Sequence, residues 1–318
     1  MPAIEILSLE KIYNVGFWRK RAKRALRPLT LTVEDGEIFG FLGPNGAGKT
    51  TTLKILMGLV FPTSGTARIL GMELNDPRMK AQIGFLPEQP YFYDHLTARE
   101  LLTYYGQLSG MDGKQLPSRV DAILDEVKLT DSKNVQLRKF SKGMLQRAGI
   151  AQAILHDPKI VFLDEPMSGL DPMGRREVRS LIERLKERGK TVFFSTHILS
   201  DAEMLCDRVA ILNQGELRGI GGVAELTAGV HGKVEIVWHG SAIPSAIRSM
   251  GAECHAAADT MRAVLPEESQ GLALEALQRD GLRLISLTPV RSSLEDYFVS
   301  QLDAQAETVR VPMQARSN

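Results

Sequence analysis

Short, uninterrupted apolar runs recur along the N-terminal part of the chain, each close to a segment with helical periodicity. The runs cover residues 37–43, 159–164 and 191–196. A helical pattern follows the first run over residues 50–60, and a charged amphipathic pattern over 176–189 precedes the third. Continuous apolar strands that alternate with helices are typical of parallel sheets covered on both faces. The pattern therefore predicts an α/β fold built on a mostly parallel sheet.

The hydrophobic pattern changes after a predicted hairpin. A strand over 208–212 is followed by Asn213-Gln214-Gly215, which is a turn signal, and by a glycine-rich stretch that ends at Gly222. Beyond it come a short strand over 233–238 and helical patterns over 271–281 and 292–302. We therefore predict a first domain over residues 1–225 and a small α+β domain over 226–302. Residues 303–318 lack an apolar pattern and are expected to be a disordered tail.

Composition narrows the functional classes. The chain has 318 residues, of which 39 are basic and 38 acidic, so its net charge of +1 predicts no nucleic-acid partner. Its two cysteines have no metal-ligand spacing, which fits a reducing cytosolic setting. The N-terminal residues lack a signal-peptide pattern, and no run approaches the roughly 20 apolar residues of a membrane span. If the protein acts at a membrane, we expect it to act from the membrane surface without spanning the bilayer.

A phosphate-binding loop follows the first apolar strand. The segment GPNGAGKTT has two glycines four residues apart and then Lys and Thr, the pattern of phosphate loops. Glycines let successive backbone N–H groups point at phosphate oxygens, and the following helix adds its positive dipole end. Lys49 is expected to reach the β and γ phosphates, and the Thr50 hydroxyl to ligate Mg²⁺. The predicted ATP-binding residues are Gly43, Pro44, Asn45, Gly46, Ala47, Gly48, Lys49, Thr50 and Thr51.

Two successive carboxylates end the second apolar strand, in the segment IVFLDEP. Alone they could simply mark the point where a strand meets solvent. Beside a phosphate loop, Asp164 is expected to hold Mg²⁺ and Glu165 to take a proton from an attacking water. The pair predicts nucleotide hydrolysis.

The segment FSKGMLQR, residues 140–147, resembles the signature sequence of ATP-binding-cassette (ABC) proteins. It departs from the commonest form at Lys142 and Met144 but retains Ser141 and Gly143. The resemblance implies that these two residues face the γ phosphate, although Ser141 also has the place of a helix N-cap. It extends over residues 4–225 and implies a phosphate-loop NTPase core with a helical signature subdomain.

Further segments resemble the family in the same order. Tyr13 has the place of an aromatic ring that stacks on adenine, and Asp171 the place of a carboxylate in a loop at the dimer interface. His197 has the place of a histidine that contacts the γ phosphate. Residues 83–97 resemble the segment that couples the nucleotide site to a membrane domain, so residues 91–96 are expected to touch that partner. A glutamine is usual in this segment; here either Glu88 or Gln89 could take its role beside Mg²⁺ and the water.

The resemblance implies partners as well as ligands. Each chain would supply half of each catalytic site, so a head-to-tail homodimer that binds ATP and Mg²⁺ is the simplest working unit. A separate integral membrane permease would be driven from the cytoplasmic face of the plasma membrane. The ending over 288–302 resembles ATP-binding subunits of ABC-2 type exporters, which indicates export. The alternative is a soluble ABC ATPase that is not coupled to transport.

One basic run, WRKRAKR over residues 18–24, matches none of these motifs. We interpret it as a solvated loop, with contact to lipid headgroups as the alternative.

Overall fold

The structure is a computed structural model, and it describes residues 2–16, 21–227, 233–257, 259–290 and 293–298. The chain divides into two compact units, the first ending at Val223 and the second beginning at Ala224. Each unit is described by itself. The tail predicted over 303–318 lies outside the described residues, and of the helix predicted over 292–302 the described part is helical at residues 294–298.

The first unit contains ten strands and eight α-helices in its described part. The strands are β1 (Ile4–Val15), β2 (Arg21–Val33), β3 (Ile38–Leu42), β4 (Ser64–Ile69), β5 (Met72–Glu73), β6 (Ile83–Leu86), β7 (Ile160–Asp164), β8 (Thr191–Thr196), β9 (Arg208–Asn213) and β10 (Glu216–Gly222). The helices are α1 (Lys49–Leu56), α2 (Pro77–Lys80), α3 (Ala98–Leu108), α4 (Leu116–Glu126), α5 (Lys142–Ile154), α6 (Pro172–Glu187), α7 (Leu199–Leu205) and α8 (Val223–Thr227), which crosses the boundary.

The predicted parallel sheet is confirmed. Its order is β10-β9-β3-β8-β7-β6, and every neighbouring pair is parallel except the β9–β10 hairpin at one edge. Phe39, Phe41 and Phe162 surround Phe193 in its core, with ring centroids 5.3 to 5.6 Å from that of Phe193. Because the parallel strands run in one direction, their carboxyl ends all reach the same edge of the sheet.

A second, antiparallel sheet has the order β2-β1-β4-β5. Its edge strand β2 corrects the sequence analysis: residues 21–24, predicted as a solvated loop, continue the ladder with β1, with Arg21 opposite Val15 and Lys23 opposite Tyr13. Charged side chains are common on edge strands, where one row of backbone groups is free and most side chains face solvent. The basic composition of residues 21–24 therefore led to the prediction of a loop where the structure has an edge strand.

Two helix boundaries also differ from the prediction. Helix α1 ends at Leu56 rather than at residue 60, because Gly58 takes a left-handed conformation at φ 67° and Leu59 N–H bonds the Lys54 carbonyl at 2.9 Å. Helix α6 begins at Pro172 rather than at residue 176, because the Asp171 side chain accepts a bond from Gly174 N–H at 2.7 Å and caps it.

Helices α3, α4 and α5 form the helical subdomain between β6 and β7. Buried Leu101 on α3 and Val120 on α4 lie on the apolar faces of their helices. Helix α5 packs closely on β6, since a Cβ on Gly84 would lie 2.0 Å from the Ala153 carbonyl oxygen. Among the helices that the structure describes, none has both the length and the apolar content that crossing a membrane requires.

The second unit is a small α+β domain. Its elements are β11 (Lys233–His239), α9 (Ser245–Ser249), β12 (Glu253–Ala257), β13 (Thr260–Pro266), α10 (Gln270–Arg279) and β14 (Leu284–Pro289). The antiparallel sheet has the order β12-β13-β11-β14, which with the βαββαβ succession is a ferredoxin-like arrangement. Trp238 is fully buried in its core and donates from Nε1 to the Ala242 carbonyl at 2.9 Å.

Candidate active site

The phosphate loop connects β3 to α1. Two of its glycines are required by close backbone contacts. A Cβ on Gly43 would lie 2.3 Å from the Leu212 carbonyl oxygen, and one on Gly48, at φ 107°, would lie 2.7 Å from that of Ala25. The loop is thus fixed between the sheets, with the N-terminus of α1 at its end. Backbone N–H groups at such an N-terminus form an anion-binding site.

Lys49 is the first residue of α1, and its side chain is turned back into the loop. The ammonium donates to the Gly43 carbonyl at 2.6 Å and to the Pro44 carbonyl at 3.3 Å. It also lies 3.3 Å from Oε1 of Glu165, in an ion pair whose two side chains are only 6% and 7% exposed. The charge is therefore held among oxygen atoms beside the phosphate loop.

Asp164 ends β7 opposite the start of α1. The Thr50 hydroxyl lies 3.4 Å from its Oδ1, and the Ser195 hydroxyl, on neighbouring β8, donates to the same oxygen. Burial raises the pKa of this carboxyl group, an effect that the bonds from Ser195 and Thr50 oppose. A carboxylate and a hydroxyl are hard oxygen donors, the kind that Mg²⁺ prefers.

Glu165 follows Asp164 in a left-handed conformation at φ 50°. In a continuing strand the two side chains would point to opposite faces of the sheet. The left-handed residue breaks this alternation, so Asp164 faces Thr50 while Glu165 faces Lys49. A non-glycine residue in this region costs energy and is a common feature of functional sites.

His197 lies directly beyond β8 and contacts Glu165. Its Nδ1 is 2.8 Å from Oε2 of Glu165, and its side chain is 39% exposed. The following helix α7 is held by Asp201, a buried carboxylate that receives Arg175 at 2.9 Å and Arg179 at 3.7 Å from α6. Burial raises the pKa of Asp201, which the two arginines oppose. The histidine thus lies two residues before a helix that an ion-pair cluster fixes.

A cleft of about 460 Å³ opens over the phosphate loop. Nine of the predicted site residues line it: Tyr13, Asn45, Gly46, Gly48, Lys49, Thr50, Thr51, Glu88 and Glu165. The Lys11 ammonium lies 4.9 Å from the centre of the Tyr13 ring. A flat aromatic ring at one wall and a phosphate loop at the base suit a nucleotide.

Glu88 and Gln89 lie in different surroundings. Glu88 lines the cleft, whereas Gln89 does not line it, and its Oε1 accepts a bond from the Tyr91 hydroxyl at 3.1 Å. The geometry therefore favours Glu88 as the side chain that faces a bound nucleotide.

The nucleotide contacts predicted in the signature segment and in the loop before α6 lie on segments away from this cleft. Ser141 caps α5 by accepting from Met144 N–H at 3.2 Å, Gly143 lies in the first turn of α5, and Asp171 caps α6. None of them is among the residues that line the cleft. One chain brings together the phosphate loop, Asp164, Glu165 and His197, but not the signature segment.

Sequence reasoning missed two residues near this site. Ser195 holds Asp164, and a hydroxyl residue at the end of a fully buried strand was the signal for it. Lys23 lines the cleft, but its place became visible only through the pairing of β1 with β2.

Comparisons with known proteins identify the same class of molecule. Residues 26–168 match the family model described as ABC transporter. An ABC transporter ATP-binding protein of Synechocystis, sll0415, is 46% identical over 301 residues, which are 94% of this chain and 84% of that relative. The bacitracin transport ATP-binding protein BcrA of Bacillus licheniformis is 43% identical over 67% of this chain and 68% of its own length.

A solved structure shares the fold. It is described as a dimeric, post-hydrolysis state of the ATP-binding cassette MJ0796 bound to ADP and Pi. It is 28% identical, with a TM-score of 0.63 over 69% of this chain and 98% of that one.

We expect Asp164→Asn to raise the unfolding temperature of the protein without nucleotide and magnesium. The raised pKa of Asp164 means that its ionised form opposes folding, so the native protein loses stability as pH rises from the ordinary value of 3.8 through the folded-state value. Asparagine does not ionise, so its advantage should grow with pH and then level off. Thermal unfolding from pH 4 to 8 measures it. The exposed Asp131→Asn is the control, and an equal response of both variants would contradict the assignment.

Proposed function

Since this chain belongs to the ABC transporter family of ATP-binding proteins, we propose that its cleft binds ATP with Mg²⁺ and that hydrolysis there drives export by a separate membrane-spanning permease. The protein is an ATP-hydrolysing subunit of a transporter. The observation that carries the proposal is the contact chain from Lys49 through Glu165 to His197 at the phosphate loop.

The nucleotide is proposed to lie between Tyr13 and the phosphate loop. The triphosphate would receive backbone N–H groups of the loop and the Lys49 ammonium, while adenine would stack on the Tyr13 ring. Both residues line the same cleft, which supports one continuous ligand rather than two separate sites.

Thr50 and Asp164 are proposed to hold Mg²⁺. Their oxygens face each other at 3.4 Å, beside the loop that would bind the phosphates. Magnesium in nucleotide sites uses few protein ligands, with phosphate oxygens and water completing the octahedron. The ion would neutralise charge on the phosphates during hydrolysis. Its positive charge would also favour the ionised form of Asp164, whose pKa is raised by burial.

Glu165 is proposed as the general base. Its carboxylate is buried, follows directly after β7, and lies between Lys49 and His197. A bound γ phosphate would draw Lys49 toward itself, which would leave Oε1 of Glu165 to accept the proton of an attacking water. His197, oriented by its bond to Oε2, would stabilise the water or the departing phosphate.

A second copy is proposed to complete each site in a head-to-tail dimer. Ser141, Gly143 and Asp171 stand outside the cleft of their own chain, so a partner must bring the corresponding residues to it. A two-fold symmetric dimer would then have two equivalent sites, each made of the cleft of one chain and the signature segment of the other.

The permease is proposed to dock on a groove of about 400 Å³ beside residues 91–96. Aromatic and aliphatic side chains dominate its wall, and Tyr91 is 88% exposed. The same segment begins three residues after Glu88, which lines the nucleotide cleft, so docking and nucleotide contact would share one short stretch of chain. The resemblance of residues 288–302 to ABC-2 type exporters supports export, and the cytoplasmic face of the plasma membrane is the proposed location.

We expect Lys49→Ala to abolish ATP hydrolysis and Glu165→Gln to lower kcat by about 10² to 10⁴ while preserving ATP binding. Loss of the Lys49 charge removes a phosphate contact, whereas Gln keeps the shape of Glu165 but cannot take the proton. Steady-state ATPase assays, nucleotide binding and size-exclusion chromatography with ATP are the measurements. The Gln variant should accumulate as a dimer. An exposed carboxylate change, Glu183→Gln, is the control, and an unchanged rate for Glu165→Gln would refute the base assignment.

The two candidates in residues 83–97 are separated by Glu88→Ala and Gln89→Ala. We expect the Glu88 variant to lose about tenfold or more in kcat, because its carboxylate faces the cleft, and the Gln89 variant to remain within about twofold. ATPase rates measured over a range of Mg²⁺ concentrations test this. The reverse order would reassign the role to Gln89.

A photo-reactive amino acid in place of Tyr91 should crosslink to an integral membrane protein in native membranes. The exposed position Leu7, on β1, is the control and should give no such product. Mass spectrometry identifies the captured chain. Crosslinks from Tyr91 only to a copy of its own chain would favour the alternative, an ABC ATPase that is not coupled to transport.

A further inference from the structure

Lys23 and Arg24, from the basic run that was predicted to be a loop, reach the cleft over the phosphate loop. Lys23 lies on strand β2 and lines the cleft, together with its neighbours Arg24 and Ala25. We propose that Lys23 is an additional nucleotide-binding residue whose ammonium contacts the phosphates of bound ATP. The proposal rests on the proposed ATP site and adds to it a contact from the antiparallel sheet.

The strand register places Lys23 beside the base-stacking position. Lys23 is directly opposite Tyr13 in the β1–β2 ladder. Residues that face each other in an antiparallel pair project their side chains from the same face of the sheet. Val15, two residues after Tyr13, shares that face and also lines the cleft. One face of the ladder therefore forms a wall of the cleft, with Lys23 on it.

The charges around the cleft leave Lys23 available for an anion. Arg24 pairs with Glu10 at 3.0 Å, and Lys49 pairs with Glu165 at 3.3 Å. In the described part of the chain, by contrast, no carboxylate lies within 4.0 Å of the Lys23 ammonium. Lys23 thus brings a positive charge to the cleft that the protein does not itself neutralise.

The chemistry of the ligand selects the phosphates as its partner. Adenine and ribose carry no charge at neutral pH, whereas the triphosphate carries several negative charges. The same cleft is also lined by Asn45, Gly46 and Gly48 of the phosphate loop. A lysine on a flexible stem acts as a point charge toward phosphate and does not require a fixed geometry.

The test compares Lys23→Met with Arg21→Met in the full-length chain. Arg21 is exposed, lies on the same strand and face, and does not line the cleft, so its variant removes the same charge from the same sheet. We expect Lys23→Met to weaken ATP and ADP binding about three- to tenfold, the effect of one partly exposed charge contact. Its kcat should stay within about twofold. Displacement of a fluorescent ATP analogue and ATPase kinetics measure both values.

Two further readouts separate a phosphate contact from a structural role. The loss should shrink as salt is raised from 50 to 500 mM, because screening weakens the lysine's contribution in the unmodified protein. Lys23→Arg, which keeps the charge, should restore binding to within about twofold. Thermal unfolding should be the same for all three variants.

The inference is overturned if Lys23→Met binds ATP as tightly as Arg21→Met does, or if Lys23→Arg is as weak as Lys23→Met. It is also overturned if Lys23→Met retains nucleotide affinity but loses binding to phosphatidylserine vesicles, since the charge would then serve lipid phosphate. Failure of the unmodified protein to bind ATP would instead reject the proposed function. The two failures are therefore distinguishable.

Discussion

The site depends on the meeting of two chain segments at one edge of the parallel sheet, the start of α1 and the end of β7. Lys49 and Thr50 are successive residues on one side, and Glu165 and Asp164 are successive residues on the other. Because β3 and β7 both flank β8, they deliver these residues to the same edge. The left-handed conformation of Glu165 then lets both carboxylates reach their partners. A regular strand would direct one of them away.

Burial strengthens the attraction between opposite charges at this site and also penalises the ionised form of one carboxyl group. Coulomb attraction rises as the effective dielectric falls, so the attraction between Lys49 and Glu165 is stronger here than between exposed groups at the same distance. The same burial penalises ionised Asp164, whose hydrogen bonds come from the neutral hydroxyl groups of Ser195 and Thr50. A charged group left in this condition is stabilised when a cation binds to it. At Asp164, the same burial that lowers folding stability therefore favours the binding of a cation.

Local patterns in the sequence carried the information for this edge of the sheet. The apolar runs, the glycine-rich loop and the two carboxylates are each written within a few residues, and the strands and the loop were predicted at nearly their observed positions. Pairing between β1 and β2 is not local in this sense, because the basic composition of residues 21–24 matches a loop as well as an edge strand. The end of α1 and the start of α6 were predicted wrongly for a related reason. Gly58 and Asp171 determine them through backbone conformation and hydrogen bonds, which hydrophobic periodicity does not reveal. The sequence could not decide between Glu88 and Gln89, because it does not show which of two adjacent side chains points into the cleft.

The departure of the signature segment at Lys142 has a structural counterpart. A Cβ on Gly169 would lie 2.1 Å from the Lys142 ammonium nitrogen, so the lysine side chain covers the backbone of the 168–172 loop. Gly169 also takes a left-handed conformation, at φ 65°, which favours glycine there for a second reason. The lysine thereby joins two segments that stand outside their own chain's cleft, the start of α5 and the loop before α6. In the proposed dimer, both segments would then face the partner's cleft side by side, because the lysine places them next to each other.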